Sequence, residues 1–301
     1  MKINLLKTRY LLMATSFLLI LNSCETEDTI NQEEMNTTTI ALNETQLNAL
    51  KLNGITPESN IVEEFKETIL GESIEGLLIS DNFISYKELD QMIENTDQKL
   101  FFNKSRITLP KKGKRMITVG VVTSGSQGLD NKQRNAAQTV IHRYKSLNLK
   151  KIDFRILIGV NNFGNTRPDI VIISSDSFTS GGFDGRARFP ENGNPGDLIG
   201  INTRTQGSNW PQSELVSLIM HELGHAIGFV HADYKTRRSC IPFGLEDAGD
   251  FSDNQVDLIP GTNSSGDYIN SIMRACNFYA IGDFTAEDKK AMRRAYNGQS
   301  F

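Results

Sequence analysis

His221-Glu222-Leu223-Gly224-His225-Ala226-Ile227-Gly228-Phe229-Val230-His231 gathers three of the chain's four histidines and reads H-E-x-x-H-x-x-G-x-x-H. On a helix, positions i and i+4 share a face, so the imidazoles of His221 and His225 converge while Glu222, ~100° round the axis, flanks them. Gly228 can take left-handed backbone without steric cost, which ends the helix and turns the chain back to bring in His231. Three imidazole nitrogens suit one zinc ion and leave a tetrahedral ion one position for water, as in catalytic sites. The alternative is a closed structural site, which needs a fourth ligand and has no use for Glu222; the nearest cysteines are Cys240 and Cys276.

Further along stands Ser271-Ile272-Met273-Arg274-Ala275. Alone, such a methionine reads as core filler. Placed after an extended zinc motif, it resembles the methionine turn of the metzincin metallopeptidases, whose thioether floors the metal site. Within that clan the His-Glu-Leu-Gly-His core and the two cysteines are similar to the bacterial dual-action HEIGH metallopeptidases, whose pentad carries isoleucine where Leu223 stands. The resemblance implies an α/β (α+β) catalytic domain with a twisted mixed sheet, an active-site helix carrying the motif and a C-terminal helix. It also implies an exported zinc metalloendopeptidase holding one Zn2+ through His221, His225 and His231. Glu222 is then general base and acid for peptide hydrolysis. The competing class is a zinc-binding surface or adhesion module without turnover, against which the retention of Glu222 argues. Astacins place a zinc-reaching tyrosine two residues after the turn methionine; here Ala275 stands there, and Tyr234, Tyr268 and Tyr279 have no spacing that replaces it.

The amino terminus reads as an export signal. Lys2, Lys7 and Arg9 precede an apolar run, Leu11 to Leu21, followed by Leu21-Asn22-Ser23-Cys24. A spanning helix needs ~20 apolar residues and a signal-peptide core ~7–15, so this run fits the second. The pattern resembles a bacterial lipoprotein signal (1–23), with Cys24 lipidated and the protein on the outer membrane or cell surface; the alternative is plain secretion. The acidic Glu25-Thr26-Glu27-Asp28 opens a polar tether over 24–46 that lacks the apolar groups to fold. With Cys24 assigned to lipid, Cys240 and Cys276 either pair in an oxidising compartment or remain two buried thiols.

Residues 47–112 read as a propeptide-like segment before a catalytic domain over 113–301. Ile61, Val62, Phe65 and Ile69 recur at helical spacing, and Ser85-Tyr86-Lys87-Glu88 reads as a capping box opening a second helix. The basic Leu109-Pro110-Lys111-Lys112-Gly113-Lys114-Arg115 is the expected boundary, either a processing site or a solvated linker. No cysteine lies between Cys24 and Cys240, which excludes a cysteine switch from this segment, and Leu77 stands where an astacin-type aspartate switch would ligate zinc. Latency would rest on steric cover or on a carboxylate such as Asp81.

In the catalytic half, Met116 to Val122 reads as a strand and Asp130 to Ser146 as a helix burying Ala136, Ala137, Val140, Ile141 and Tyr144. Ile152, Phe154, Ile156 and Ile158 alternate as a second strand, and Ile170 to Ile173 form a strand buried on both faces. Thr285-Ala286-Glu287-Asp288 caps a last helix. His142 reads as a surface or packing residue. Gly185-Arg186-Ala187-Arg188-Phe189-Pro190 is short and ends in proline, as suits an edge strand that takes extended peptide by augmentation. Arg186 and Arg188 then either favour acidic substrates or guard the edge. Gly196 to Ile201 should form the next, more buried strand. Asp176, Asp184 and Asp197 are the loop carboxylates available to a structural Ca2+, though nothing in their spacing requires one. A net charge of −4 and the lack of a clustered basic face give no support for nucleic acid as a partner, leaving protein or peptide substrate, a membrane reached through lipid, and a monomer.

Overall fold

The computed structural model describes residues 38–52, 57, 61–79, 82–94, 107–159, 167–207, 210–234, 236–243, 259, 262, 270–276 and 282–297. Cys24, Asp81, Tyr268 and Tyr279, with the leader and most of the tether, lie outside these residues. Among them no helix is long and apolar enough to cross a membrane.

Five strands carry the C-terminal part of the chain: β5 (Arg115–Val121), β6 (Ile152–Ile158), β7 (Ile170–Ser174), β8 (Gly185–Ala187) and β9 (Leu198–Ile201). Their order is β8-β9-β7-β5-β6, parallel except for β8 against β9. β7 explains the arrangement. Its Ile170 and Ile172 join the core shared with the helices, while Val171 and Ile173 join a second core on the opposite face. Period-two side chains buried on both faces make the uninterrupted apolar run seen in the sequence. In β6, at the end of the order, burial fades along the strand: Ile152 and Phe154 are buried and Ile158 is 46% exposed.

The helical face is built by α3 (Asn131–Ser146), α4 (Gln212–Ala226) and α5 (Ala286–Tyr296). α3 opens on a capping box, Asp130 accepting from Gln133 N and Gln133 returning the bond, and buries the five apolar residues expected of it. His142 is exposed on this helix.

The preceding segment supplies β1 (Thr38–Ala41), α1 (Glu44–Leu52), β2 (Ile61–Ile69), β3 (Glu72–Ile79), β4 (Asn82–Ser85) and α2 (Tyr86–Glu94), and it begins earlier than expected: residues 38–46, read as tether, pair with β2 and bury Leu42. The helix expected from Ile61, Val62, Phe65 and Ile69 is instead strand β2. Val62 is buried on one face, against α1 and α2, while Phe65 and Ile69 are buried on the other. A strand buried unevenly on two faces reproduces a spacing of three and four. The turn after it has positive φ at both Leu70 and Gly71, with Ile69 facing Glu72, as a tight hairpin requires. The capping box at α2 forms as expected: Ser85 N donates to Glu88 Oε2 at 2.7 Å, and Glu88 N to Ser85 Oγ at 3.2 Å.

Among the described residues this antiparallel group joins the five-stranded part of the sheet at one pairing, Asn82 of β4 alongside Ala187 of β8, parallel. Apolar packing makes the larger connection. Phe65, Ile69, Leu78 and Phe83 share a core with Val122, Val171, Ile173, Phe178 and Leu198, so the segment covers the face of the sheet that the helices leave.

Candidate active site

Every residue of α4 from Leu215 to Ala226 is buried, so this helix runs through the molecule rather than over it. Tyr144 of α3 donates its hydroxyl to Met220 O at 2.9 Å, anchoring the turn before the histidines. The helix ends as Gly228 foretells. Gly228 has φ +107°, Gly228 N donates to His225 O at 2.8 Å and Phe229 N to Gly224 O at 2.9 Å, the paired bonds of a Schellman motif. The chain reverses there and brings His231 back to the helix.

His221, His225 and His231 are each 2% exposed and meet through their Nε2 atoms, 2.9 Å from His225 to His221 and 3.2 Å from His225 to His231. His221 Nδ1 donates to Ile272 O and His225 Nδ1 to Phe229 O, both at 2.7 Å. With the Nδ1 protons so committed, Nε2 lone pairs of His221 and His225 point at each other in a dry site, which is repulsive unless a cation lies between them. Tetrahedral ligands ~2.0–2.1 Å from zinc stand about 3.3 Å apart, close to the observed spacing. The residues fit a single metal ion, and this is the one such His/Cys/Asp/Glu cluster among the described residues.

Glu222, 2% exposed, faces β8. A Cβ on Gly185 would lie 2.6 Å from Glu222 Oε1 and 2.9 Å from its Cγ. Only a residue without a side chain at 185 leaves the Glu222 carboxylate its present place. Gly185→Ala should displace Glu222 while sparing the histidines, lowering kcat about 10–100-fold with metal content unchanged. Metal analysis alongside steady-state kinetics checks this, and full activity in that variant would separate the carboxylate's place from β8.

Met273 lies beneath the helix, and a Cβ on Gly224 would overlap its Sδ. Its own turn is fastened to the His231 loop by Ala232 N donating to Met273 O at 2.6 Å and by Asp233, which is fully buried. Asp233 accepts from Ala275 N at 2.8 Å and from Ser239 N at 2.9 Å. Beside them Cys240 and Cys276 form a disulfide with Cα atoms 4.9 Å apart. Closing a loop over a sequence separation of 36 is worth about 4 kcal/mol in the chain-entropy model. A Cys240→Ser/Cys276→Ser double variant should melt about 10 °C lower by calorimetry; an unchanged Tm would leave the crosslink without a stabilising role.

The strand expected to be a free substrate edge is paired on both sides. β8 is antiparallel to β9 and meets β4 at Ala187, and regular pairing stops there rather than reaching Phe189. Phe189 packs over the His225 ring, centroids 5.0 Å apart. Neither arginine is the exposed substrate contact considered from sequence. Arg186 is 2% exposed and donates to Phe178 O at 2.9 Å. Arg188 lies over the Phe83 ring and pairs with Asp197 at 2.8 Å and Glu88 at 3.5 Å. Burial alone would lower the Arg188 pKa, but Asp197, Glu88 and Glu191 hold it above its ordinary value. The carboxylates weighed for calcium are already engaged: Asp176 by Thr203, Asp184 by Arg204, and Asp197 by Arg188 and Arg167. Asp233, the cover over β8 and the need for Gly185 were not read from the sequence, because each depends on a contact between distant segments.

A buried three-histidine centre with an adjoining carboxylate and a methionine turn defines the metallopeptidase class. Residues 78–296 match the model of the dual-action HEIGH metallopeptidases, and the chain belongs to that family. Among solved structures it is similar to two of myroilysin. One, at 14% identity, covers 66% of this chain and 99% of that one with a TM-score of 0.38; the other, also at 14%, covers 65% and 93% with 0.33. No curated protein matches.

Proposed function

We propose that the chain is an exported zinc metalloendopeptidase. The observation that carries the reading is a buried carboxylate, Glu222, next in sequence to the first of three histidines whose Nε2 atoms converge while the Nδ1 atoms of His221 and His225 are tied to carbonyls. Bound to those three nitrogens, zinc would supply a Lewis acid for the scissile carbonyl and the attacking water. Glu222 takes the proton from that water and delivers it to the leaving amine, one residue serving both halves. A module that only bound metal would have no need of that carboxylate.

Extended peptide would lie along the β8 side of the site, its backbone close to Gly185. β4 at Ala187 limits how far along β8 it can pair. Lipidation at Cys24 would hold the enzyme on the bacterial outer membrane or cell surface, and the tether would give it reach.

Purified protein should contain one zinc per chain, cut a mixed peptide library at internal bonds, lose activity to a chelator and regain it with zinc. His225→Ala should lose metal and activity together, and Cys24→Ser should move the protein from the detergent phase to the soluble fraction. Stoichiometric zinc without cleavage of any peptide would replace this reading by the binding module.

A further inference from the structure

The sequence pattern at Thr285-Ala286-Glu287-Asp288 asks only for a helix cap, and that cap is present. Asp288 N donates to Thr285 Oγ at 3.1 Å, and Thr285 N to Asp288 Oδ2 at 2.9 Å. A carboxylate at the third position of a helix usually faces water, whereas Asp288 is 5% exposed. Burying a carboxylate is costly unless its oxygens find donors; the Thr285 hydroxyl donates to Oδ2 at 2.8 Å, and two more donors come from the methionine turn. Ser271 Oγ donates to Asp288 Oδ1 at 2.5 Å and Ile272 N to Oδ2 at 3.2 Å.

The bonds continue to the metal centre. Met273 N donates to Ser271 Oγ at 3.0 Å, and the carbonyl of that same peptide unit, Ile272 O, accepts from His221 Nδ1 at 2.7 Å. One line of hydrogen bonds therefore runs from the Asp288 carboxylate through the Ser271 hydroxyl and the 272–273 peptide to His221. Each acceptor in such a line is polarised by the next. A negative charge at its far end strengthens Ile272 O as an acceptor, fixes the imidazole ring and raises the basicity of Nε2, as a carboxylate bonded directly to a ligand histidine does.

We propose that Asp288 is a positioning residue for the metal centre, acting on His221 through Ser271 and the Ile272–Met273 peptide. The proposal rests on the metal-binding part of the function given above. Its test is equilibrium zinc affinity, measured by competition with a chromophoric chelator on the full chain, so it needs no turnover. A protein that binds zinc but cuts nothing would overturn the peptidase reading and leave this test intact.

Asp288→Asn keeps the size and removes the charge; Ser271→Ala breaks the line while leaving the carboxylate in its cap. Each should weaken zinc about 10–100-fold. Because both act on one line, the double variant should lose little more than either alone. Thr285→Ala removes the capping hydroxyl and its bond to Asp288 Oδ2 but leaves the Ser271 line intact, so it should lower Tm with a smaller loss of zinc affinity than Ser271→Ala. Should Asp288→Asn fail to fold, Ser271→Ala decides by itself. Zinc affinity in Ser271→Ala within twofold of wild type, losses that multiply in the double variant, or an equal loss in Thr285→Ala would each overturn the proposal.

Discussion

Glu222→Ala should keep its zinc and lose peptide hydrolysis. The three ligands are imidazoles on α4 and the returning chain, and two of them are oriented by backbone carbonyls, His221 by Ile272 O and His225 by Phe229 O. Removing the carboxylate therefore leaves the metal centre held from outside. The chemistry loses both its base and its acid. General acid–base catalysis by one positioned group is typically worth ~10²–10⁴-fold, and a group used twice should reach the upper part of that range in kcat. KM should move little. Glu222→Gln should fall equally far, since the amide fills the same space beside Gly185 but cannot take the proton. Metal analysis with single-turnover kinetics checks the pair. A glutamine variant retaining a tenth of the activity would assign the proton transfer to another group.

How legible this was in the sequence depends on how local the causes are. The metal ligands could be read because chemistry and helix geometry together dictate a spacing within eleven residues, and the Schellman bonds at Gly228 are the local consequence. The α3 face and the doubly buried β7 were legible for the same reason, each being a period written along one element. β2 was misread because Val62 serves one core and Phe65 and Ile69 another, so the burial period is not the strand period. Its β-branched ends and the Leu70-Gly71 turn were the signals that pointed to a hairpin. Asp233 could not be found as a partner of anything, and Asp288 only as part of its own helix cap. They bond to backbone N–H groups and a hydroxyl, and such acceptors leave no complementary charge elsewhere in the chain. The arginines of β8 looked like an exposed edge because nothing near them in sequence announces Phe83, Glu88 and Asp197.

Deleting residues 25–112 should abolish folding rather than release a more active enzyme. The preceding segment packs Phe65, Ile69, Leu78 and Phe83 on the sheet face that includes Val122, Val171, Ile173, Phe178 and Leu198. Exposing those last five side chains, at ~1.5–3 kcal/mol each, costs on the order of 10 kcal/mol, which matches the entire stability of a typical domain, ~5–15 kcal/mol. Arg188 would also lose Glu88 and the Phe83 ring, keeping Asp197. Cutting the chain without removing the segment should do no such damage. Lys111, Lys112 and Lys114 are exposed, so limited trypsin treatment there should yield two fragments that stay associated through the shared core. The nicked complex should melt cooperatively and keep its zinc; the chain beginning at residue 113, expressed alone, should be insoluble or lack a thermal transition. A soluble 113–301 chain with a cooperative melt would show instead that the segment is a separable propeptide, and higher activity in that chain would assign β4 the role of a cover over β8.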